Sequence, residues 1–204
     1  RSYEKTKGRG RAGLLARLGV GENKARVADA GVPAGSEPGA DWLREAVAAG
    51  LAVEGIPGAN AALTALVLSG LPSERFAFEG CLPREGSKRR ACLQQLSGEP
   101  RTMVFYEAPH RLLAVLADMA ETWGAERPVA ACRELTKLHE ETVRGTLAEL
   151  LAHFTAQAPR GEFTLVVGGC PEQAPEIPSD TVLMQELAVL LEEGMGRKEA
   201  ARQV

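Results

Sequence analysis

Short apolar runs rich in β-branched and aromatic residues alternate along this chain with runs whose apolar residues recur at helical spacing. Such alternation is typical of α/β layering, in which helices cover a largely parallel sheet. Asn60 stands where a helix would be capped, and Gly70 stands where that helix would end. In the first third of the chain the pattern predicts helices at 10–18, 41–49 and 61–70 and strands at 24–28 and 51–56.

The pattern restarts after LPSE, residues 71–74, which has the composition of a turn. Pro109 suits the first turn of a helix, where its missing N–H costs nothing, and Thr146 with Glu149 forms a capping-box pattern. Residues 135–145 are interpreted as a charged connection. The other predicted elements are the strands RFAFE, TMVFY, PVAACRE and EFTLVVGG, and the helices KRRACLQQL, HRLLAVLADMA, TLAELLAHF and TVLMQELAVLLEEG.

This order of elements predicts two α/β domains and a small helical tail. The expected divisions are an incomplete amino-terminal domain at 1–72, a second domain at 73–170, and a linker with the tail at 171–204. The chain begins without Met and stops within the helical pattern GRKEAARQV. We therefore expect it to be a piece of a longer protein.

The composition is typical of a globular protein rather than of a membrane or exported one. A chain of 204 residues with 45% hydrophobic content can bury a core, and we find no apolar run long enough to span a membrane and no export signal. The expected location is the cytoplasm. The four cysteines lack metal-binding or disulfide spacing, which predicts reduced and mostly buried thiols. The net charge of −3 conceals a basic start, because residues 1–26 hold eight Lys and Arg against two Glu.

Three loops follow predicted strands at their carboxyl ends, where open α/β sheets bind ligands. They are DAGVPAGSEPG from residue 29, PGANA from residue 57 and EAPHR from residue 107. Small residues such as Gly31, Gly58 and Ala61 allow a ligand to approach the backbone, and Asn60 precedes a helix amino end that presents N–H groups. Each loop alone could be a tight turn, but three on one edge favour a shared cleft.

The charged stretch after the apolar run 128–131 would lie on the same rim. It contains Arg133, Glu134, Lys137, His139 and Glu140. The alternative is a structural ion-pair network that holds a loop in place.

Other motifs are excluded or left open. Residues 8–13 match GxGxxG in letters, but the charged residues before them do not form the strand that a dinucleotide site requires. His139-Glu140-Glu141 lacks the second histidine of a zinc-protease motif, so we expect no metal. The basic cluster of Arg84, Lys88, Arg89 and Arg90 is either a solvated face or a phosphate contact.

Five strings carry a family resemblance: FYEAPHRLL, RELTKLHEETVRGTL, FEGCLPREGSKRR, DAGVP and IPGANA. In this spacing they resemble the bacterial ribosomal RNA small-subunit methyltransferase I family, cytidine 2'-O-methyltransferases of the tetrapyrrole methylase superfamily. The resemblance covers residues 1–170 most strongly. It implies two α/β domains with S-adenosylmethionine in the cleft between them, a homodimer, and small-subunit rRNA as the substrate.

The resemblance also implies roles for individual residues. The cofactor would contact Asp29, Ala30, Gly31, Asn60, Ala61, Tyr106, Glu107 and Thr136. RNA would contact Arg84, Lys88, Arg89, Arg90, His110 and Arg111. Candidate catalytic residues are Glu107, Glu134, His139 and Glu140 as proton acceptors, with Lys137 or Arg133 stabilising negative charge on the ribose oxygen.

The chain departs from the family pattern in its first third. It has ADAGVPAGSEPG where SDAGTPxISDPG is usual and IPGANA where IPGPSA is common, and it lacks the TPIGNL and EDTR motifs. Two alternatives therefore stay open. One is a methyltransferase that acts on a tetrapyrrole or a protein side chain, since one fold serves several substrates. The other is a noncatalytic rRNA-binding fragment.

Overall fold

The computed structural model describes residues 17–20, 22, 40–171, 180–192 and 194–203. The chain divides into two compact units, residues 1–170 and residues 171–204, and each is described by itself. The boundary predicted at residue 72 stays a prediction. Across the described residues, no helix has the length and apolar character needed to cross a bilayer.

The first unit contains a five-stranded sheet with the order β1-β2-β5-β3-β4. Its strands are β1 (Phe76–Cys81), β2 (Thr102–Glu107), β3 (Pro128–Arg133), β4 (Glu141–Thr146) and β5 (Phe163–Val167). Strands β1 and β2 are parallel, whereas β5 is antiparallel to both β2 and β3, and β4 is antiparallel to β3. Thus β1, β2 and β3 share one direction, and their carboxyl ends meet at one edge.

Helices cover both faces of this sheet. They are α2 (Ala61–Ser69), α3 (Gly86–Gln95), α4 (Pro109–Trp123) and α5 (Leu147–Ala156), and α1 (Ala40–Ala48) precedes them in the chain. Side chains of α3, α4 and α5 pack in one apolar cluster with alternate residues of the strands, including Phe105, Ala131 and Leu165. The other face, which includes Val104 and Val166, packs against α2. Burial of such side chains contributes about 1.5–3 kcal/mol each.

Helix α2 is attached to the sheet by polar contacts as well. The guanidinium of Arg144, on β4, donates from Nε (2.8 Å) and Nη2 (2.5 Å) to the carbonyl oxygen of Leu68 near the end of α2. Gly70 follows in the left-handed conformation, with φ of 73°. The carboxyl end of α2 is therefore tied to the edge strand.

The second unit consists of helices α6 (Asp180–Glu192) and α7 (Arg197–Gln203). Between them, the N–H of Met195 donates to the carbonyl oxygen of Leu190 (3.0 Å), and Gly194 has φ of 90°. The predicted helical tail and the α/β class are confirmed. The predicted cleft between two α/β domains stays a prediction, because residues 23–39 lie outside the described ones.

Several local predictions are corrected. The sheet is mixed rather than largely parallel, because β5 lies between β2 and β3 and runs against both. The charged connection contains strand β4, which forms a hairpin with β3. Residues 51–56 form no strand, and within the described chain no strand lies beside them to complete the hydrogen bonds. The strand predicted at 24–28 and most of the helix at 10–18 lie outside the described residues.

The four cysteines are free, as expected, but only Cys132 is buried. Cys81 is exposed, and Cys92 and Cys170 are partly exposed, so the prediction of mostly buried thiols is wrong. Cys81 ends strand β1 at the open edge of the sheet, which explains its exposure.

Candidate functional site

The carboxyl ends of β1, β2 and β3 bring three loops to one edge of the sheet. The register places Glu107 opposite Phe163, Phe163 opposite Arg133, and Arg133 opposite Glu141 in one row across the edge. The loops that leave this edge are residues 82–85, residue 108 and residues 134–140. The shared edge expected for the EAPHR loop and the charged stretch is therefore present.

The amino end of α2 lies against Tyr106 on one face of this edge. The Asn60 side chain accepts a hydrogen bond from the N–H of Leu63 (3.0 Å), which caps the helix. The Tyr106 side chain packs against the apolar cluster that contains Ala62, and its ring meets Phe78 edge-on at a centroid distance of 5.2 Å. Burial raises the pKa of the Tyr106 hydroxyl. Tyr106 thus presents an uncharged, half-buried ring beside the amino end of α2.

The loop 134–140 meets the same face. Leu135 packs against the apolar cluster beneath α2. Glu134 and Thr136 adopt left-handed backbone conformations, with φ of 49° and 67°. The Glu140 carboxylate holds this turn by accepting a hydrogen bond from the N–H of Thr136 (2.6 Å). Asn60, Ala61, Tyr106 and Thr136 therefore belong to segments that converge, whereas Asp29, Ala30 and Gly31 lie outside the described residues.

A second set of contacts fixes the start of this loop, and we call Glu134, Lys137 and Glu162 the loop latch. Glu134 Oε1 accepts from the backbone N–H of Glu162 (3.0 Å) and from Lys137 Nζ (3.0 Å). Lys137 Nζ also donates to Glu162 Oε2 (3.2 Å). Gly161 has φ of 79°, and a Cβ there would lie 2.5 Å from Glu134 Cγ. The latch therefore depends on Gly161, which has no Cβ to collide with Glu134, and on the Glu134 carboxylate, which accepts both hydrogen bonds.

The loop latch has a defined pH dependence. The Glu162 N–H and the Lys137 ammonium hold the pKa of Glu134 below its ordinary value, and Glu134 and then Glu162 raise the pKa of Lys137. A lowered carboxylate pKa stabilises the folded state above the unfolded value of about 4.3. This stabilisation is lost as the pH falls through the lowered pKa that Glu134 has in the folded protein. At neutral pH, Glu134 is therefore an anchored anion and a weak proton acceptor.

The Glu107 carboxylate is buried and has partners within the protein. Its side chain is 2% exposed, and Oε1 accepts from the N–H of Ala108 (2.8 Å) and lies 3.2 Å from Arg111 Nε. Arg111 Nη2 in turn donates to the carbonyl oxygens of Leu82 (2.9 Å) and Pro83 (3.0 Å). This network fixes the loop after β1. Cofactor, catalytic and RNA contacts by Glu107 and Arg111 stay predictions that this arrangement does not favour.

The basic residues of α3 divide into two groups. Arg89 is buried and donates from Nε to Asp118 Oδ2 (2.6 Å), so it is directed into the protein rather than toward a phosphate. Lys88 and Arg90 are exposed, at 71% and 55% of their side chains, with pairs to Glu85 (2.7 Å) and Asp118 (3.7 Å). RNA contact by Arg89 stays a prediction without geometric support.

Arg84 lies on the loop after β1, His110 lies in the first turn of α4, and both side chains are exposed at this edge of the sheet. Neither forms a hydrogen bond or ion pair with the rest of the described chain. His139 is likewise exposed and unpaired within those residues. These three side chains are the ones on the edge that are free to meet a ligand.

Sequence reasoning missed residues that act through distant contacts. Leu135, Gly161 and Glu162 shape the 134–140 loop, yet 25 residues separate Lys137 from its partner Glu162. Asp118 was treated only as part of a helix, although a buried carboxylate on an apolar helix face could have signalled a cationic partner. The left-handed glycine 161 within PRGEF was a second available signal.

The described residues suit S-adenosylmethionine better than a metal. A half-buried aromatic wall offers a surface for an adenine, and a helix amino end with a turned loop backbone offers polar groups for the amino-acid portion. Among the residues described, no cluster of three or more His, Cys, Asp or Glu is arranged to hold a metal ion. Asn60, Ala61, Tyr106 and the backbone of 135–136 lie where these segments converge, and their contact with the cofactor stays a prediction.

Comparison with known proteins is consistent with this geometry. The family model for tetrapyrrole (corrin/porphyrin) methylases matches residues 4–151. A ribosomal RNA small subunit methyltransferase I from Synechocystis sp. is 46% identical over 192 residues, which cover 94% of this chain and 68% of that protein. Its counterpart from Mycobacterium bovis is 45% identical, covering 94% and 65%. The chain thus spans about two thirds of the length of these relatives.

Solved structures show the same fold at low identity. The methyltransferase CobJ has a TM-score of 0.58 and 18% identity, covering 78% of this chain and 70% of its own. A uroporphyrin-III C-methyltransferase from Thermus thermophilus, complexed with S-adenosyl homocysteine, has a TM-score of 0.52 and 18% identity, covering 79% and 73%. At this identity the likeness concerns the fold alone.

Proposed function

The chain belongs to the tetrapyrrole (corrin/porphyrin) methylase family and, within it, to the ribosomal RNA small subunit methyltransferase I group, and from this we propose its reaction. The protein transfers a methyl group from S-adenosylmethionine to the ribose 2'-oxygen of a cytidine in small-subunit rRNA. The observation that carries this proposal is similarity to the curated small-subunit enzymes along nearly the whole chain. The geometry of the open edge supports it.

Bound S-adenosylmethionine would supply an already activated methyl group, so the main task of the protein is alignment. Alignment of reacting groups can lower a barrier by roughly 7–11 kcal/mol. The amino end of α2 and the Tyr106 ring pack together in one apolar cluster. The turn at Thr136 is held by Glu140. These segments would position the cofactor with little reorganisation on binding.

His139 is the best candidate to accept the ribose proton. Glu134 is tied to Lys137 and the Glu162 backbone, Glu140 holds the Thr136 N–H, and Glu107 is buried beside Arg111. Each of those carboxylates already has a structural partner. The His139 imidazole is exposed on the same loop and is free of contacts within the described chain. Proton acceptance by a positioned imidazole is the commonest form of general base catalysis.

Exposed basic and hydrogen-bonding side chains would bind the RNA backbone around this edge. Arg84 and His110 flank it, and Lys88 and Arg90 extend the basic surface along the exposed side of α3. Contacts of this kind position RNA without reading its sequence and weaken as salt is added. The proposal also includes a homodimer acting in the cytoplasm, where small ribosomal subunits are assembled.

Methyl incorporation tests the proposed reaction. The protein, incubated with radiolabelled S-adenosylmethionine, should label isolated small ribosomal subunits that lack the modification, and digestion should place the label on a 2'-O-methylcytidine. Label in a porphyrinoid or in ribosomal protein instead would support one of the alternative methyltransferases. Absence of both label and S-adenosylhomocysteine binding by calorimetry would overturn the proposal in favour of a noncatalytic RNA-binding protein.

His139→Ala should lower kcat by about a hundredfold, because general base catalysis contributes about 10²–10⁴ in rate. Binding of S-adenosylhomocysteine should stay within about twofold of the unchanged protein. Leu138→Ala is the matched control, since Leu138 is 93% exposed on the same loop. Equal kcat values for the two variants would remove His139 from the reaction.

A further inference from the structure

A cleft of about 310 Å³ lies on the face of the sheet opposite α2. It is bounded by the ends of β3 and β4, by the last turn of α5, and by the segment 158–161 that follows. Arg133 follows Cys132, whose side chain faces α2, so successive strand residues place Arg133 on the other face. The cleft therefore lies on the other side of the sheet from Tyr106 and the amino end of α2, and it shares only the 134–140 loop with the proposed cofactor segments.

The cleft contains hydrogen-bonding groups without protein partners. His153 Nε2 is buried and forms no hydrogen bond. The side chains of Gln157 and Arg160 are exposed and make no contacts of this kind within the described residues. Arg133 and Glu141 form an ion pair (2.5 Å) whose side chains keep 26% and 36% exposure. The wall thus offers both donors and acceptors, with the Phe154 ring packed edge-on against His153 at 4.8 Å.

The charges in the cleft indicate the class of ligand. The carboxylates of Glu134 and Glu141 line it, and the carboxyl end of α5 adds partial negative charge. These negative charges offset the guanidinium groups of Arg133 and Arg160, which also line the cleft, so a bare phosphate inside it would gain little net attraction. A neutral, planar ligand with donors and acceptors on its edge fits them better. The volume lies at the lower end of small-molecule sites, which measure about 300–1,000 Å³.

We propose that this cleft binds one unpaired nucleobase of the substrate RNA, with Arg160 at its mouth contacting the adjoining phosphate. This inference rests on the proposed function, because it takes RNA as the substrate. Proteins read single-stranded RNA by enclosing splayed bases beside rings or guanidinium planes and hydrogen-bonding their edges. Arg133, His153 and Gln157 supply that combination. His139 also lines the cleft, which places the bound nucleotide next to the proposed proton acceptor.

The test is RNA binding without cofactor, measured by filter retention of a small-subunit rRNA fragment. The fragment is used with its loop single-stranded or closed by a complementary oligonucleotide. The variant Gln157→Ala/Arg160→Ala removes two exposed groups of the cleft. Gln95→Ala/Arg75→Ala is the matched control, with an exposed Gln and an exposed Arg outside the cleft. Arg75 precedes β1 and therefore lies near the opposite edge of the sheet.

The unchanged protein and the control should prefer the open loop by about tenfold, since pairing of the loop removes its bases from reach of the cleft. The cleft variant should lose most of that preference and bind S-adenosylhomocysteine normally. An unchanged preference would overturn the inference. So would a parallel loss of S-adenosylhomocysteine binding, which would make this a cofactor site. Because binding is measured without methyl transfer, failure of the proposed reaction would appear separately as missing 2'-O-methylcytidine.

Discussion

Asp118→Ala should destabilise the first unit by about 3 kcal/mol, because breaking a buried ion pair leaves an uncompensated charge. Asp118 and Arg89 keep only 12% and 10% of their side chains exposed, and the Asp118 carboxylate accepts from both Nε and Nη2 of Arg89 at 2.6 Å. For a chain of this size the change corresponds to a fall in Tm of roughly 6–12 °C. Thermal unfolding followed by circular dichroism measures it.

Two further variants isolate the cause. Glu85→Ala removes a carboxylate from a solvent-exposed pair with Lys88 and should leave the Tm close to that of the unchanged protein. Arg89→Met/Asp118→Leu removes both charges and should recover most of the loss, because an apolar pair needs no charge compensation. If the double variant is as unstable as Asp118→Ala, packing rather than the buried charge explains the effect.

Gly169→Ala should cost about 3 kcal/mol, at the upper end of overpacking substitutions. A Cβ at Gly169 would lie 1.9 Å from the carbonyl oxygen of Pro100, and that oxygen is backbone that cannot move aside as a side chain can. The neighbouring hydrogen bond from the N–H of Cys170 to the carbonyl oxygen of Glu99 (2.6 Å) would have to break. Urea unfolding measures the loss of stability.

Gly98→Ala is the control, since a Cβ there meets nothing within 4 Å. It should leave the urea midpoint unchanged or raise it slightly, because alanine restricts the unfolded chain. Equal midpoints for Gly169→Ala and the unchanged protein would show that the 99–101 turn can move away from β5.

Elements with strong local signals were predictable from the sequence. Asn60 and the Thr146 and Glu149 pair cap helices as their side-chain chemistry requires, and Pro109 opens α4. Strand β4 was missed because it is an edge strand whose residues are half-buried on both faces, so no apolar alternation marks it. The position of β5 between β2 and β3 depends on pairings between segments far apart in sequence, which no local pattern records.

The site was predictable to a similar extent. Strand ends indicated which loops would share an edge, and the EAPHR loop and the charged stretch do so. Which charged residues are structural and which are free depends on their ion-pair and hydrogen-bond partners, and only the structure shows those partners. Arg89 and Asp118 are 29 residues apart, as are Arg111 and Leu82. Charge alone could not separate Arg89, which is buried, from Arg84, which is free.

The attachment of α2 at both ends restricts how the protein can adapt to its substrate. Tyr106 packs against the apolar cluster at the first turn of the helix, and the Arg144 guanidinium is hydrogen-bonded to the carbonyl oxygen of Leu68 in its last turn. These contacts hold both ends of α2 against the sheet. We therefore expect adjustment to the proposed RNA substrate to come from the tip of the β3–β4 hairpin, beyond the latch, where Leu138 and His139 are exposed to solvent.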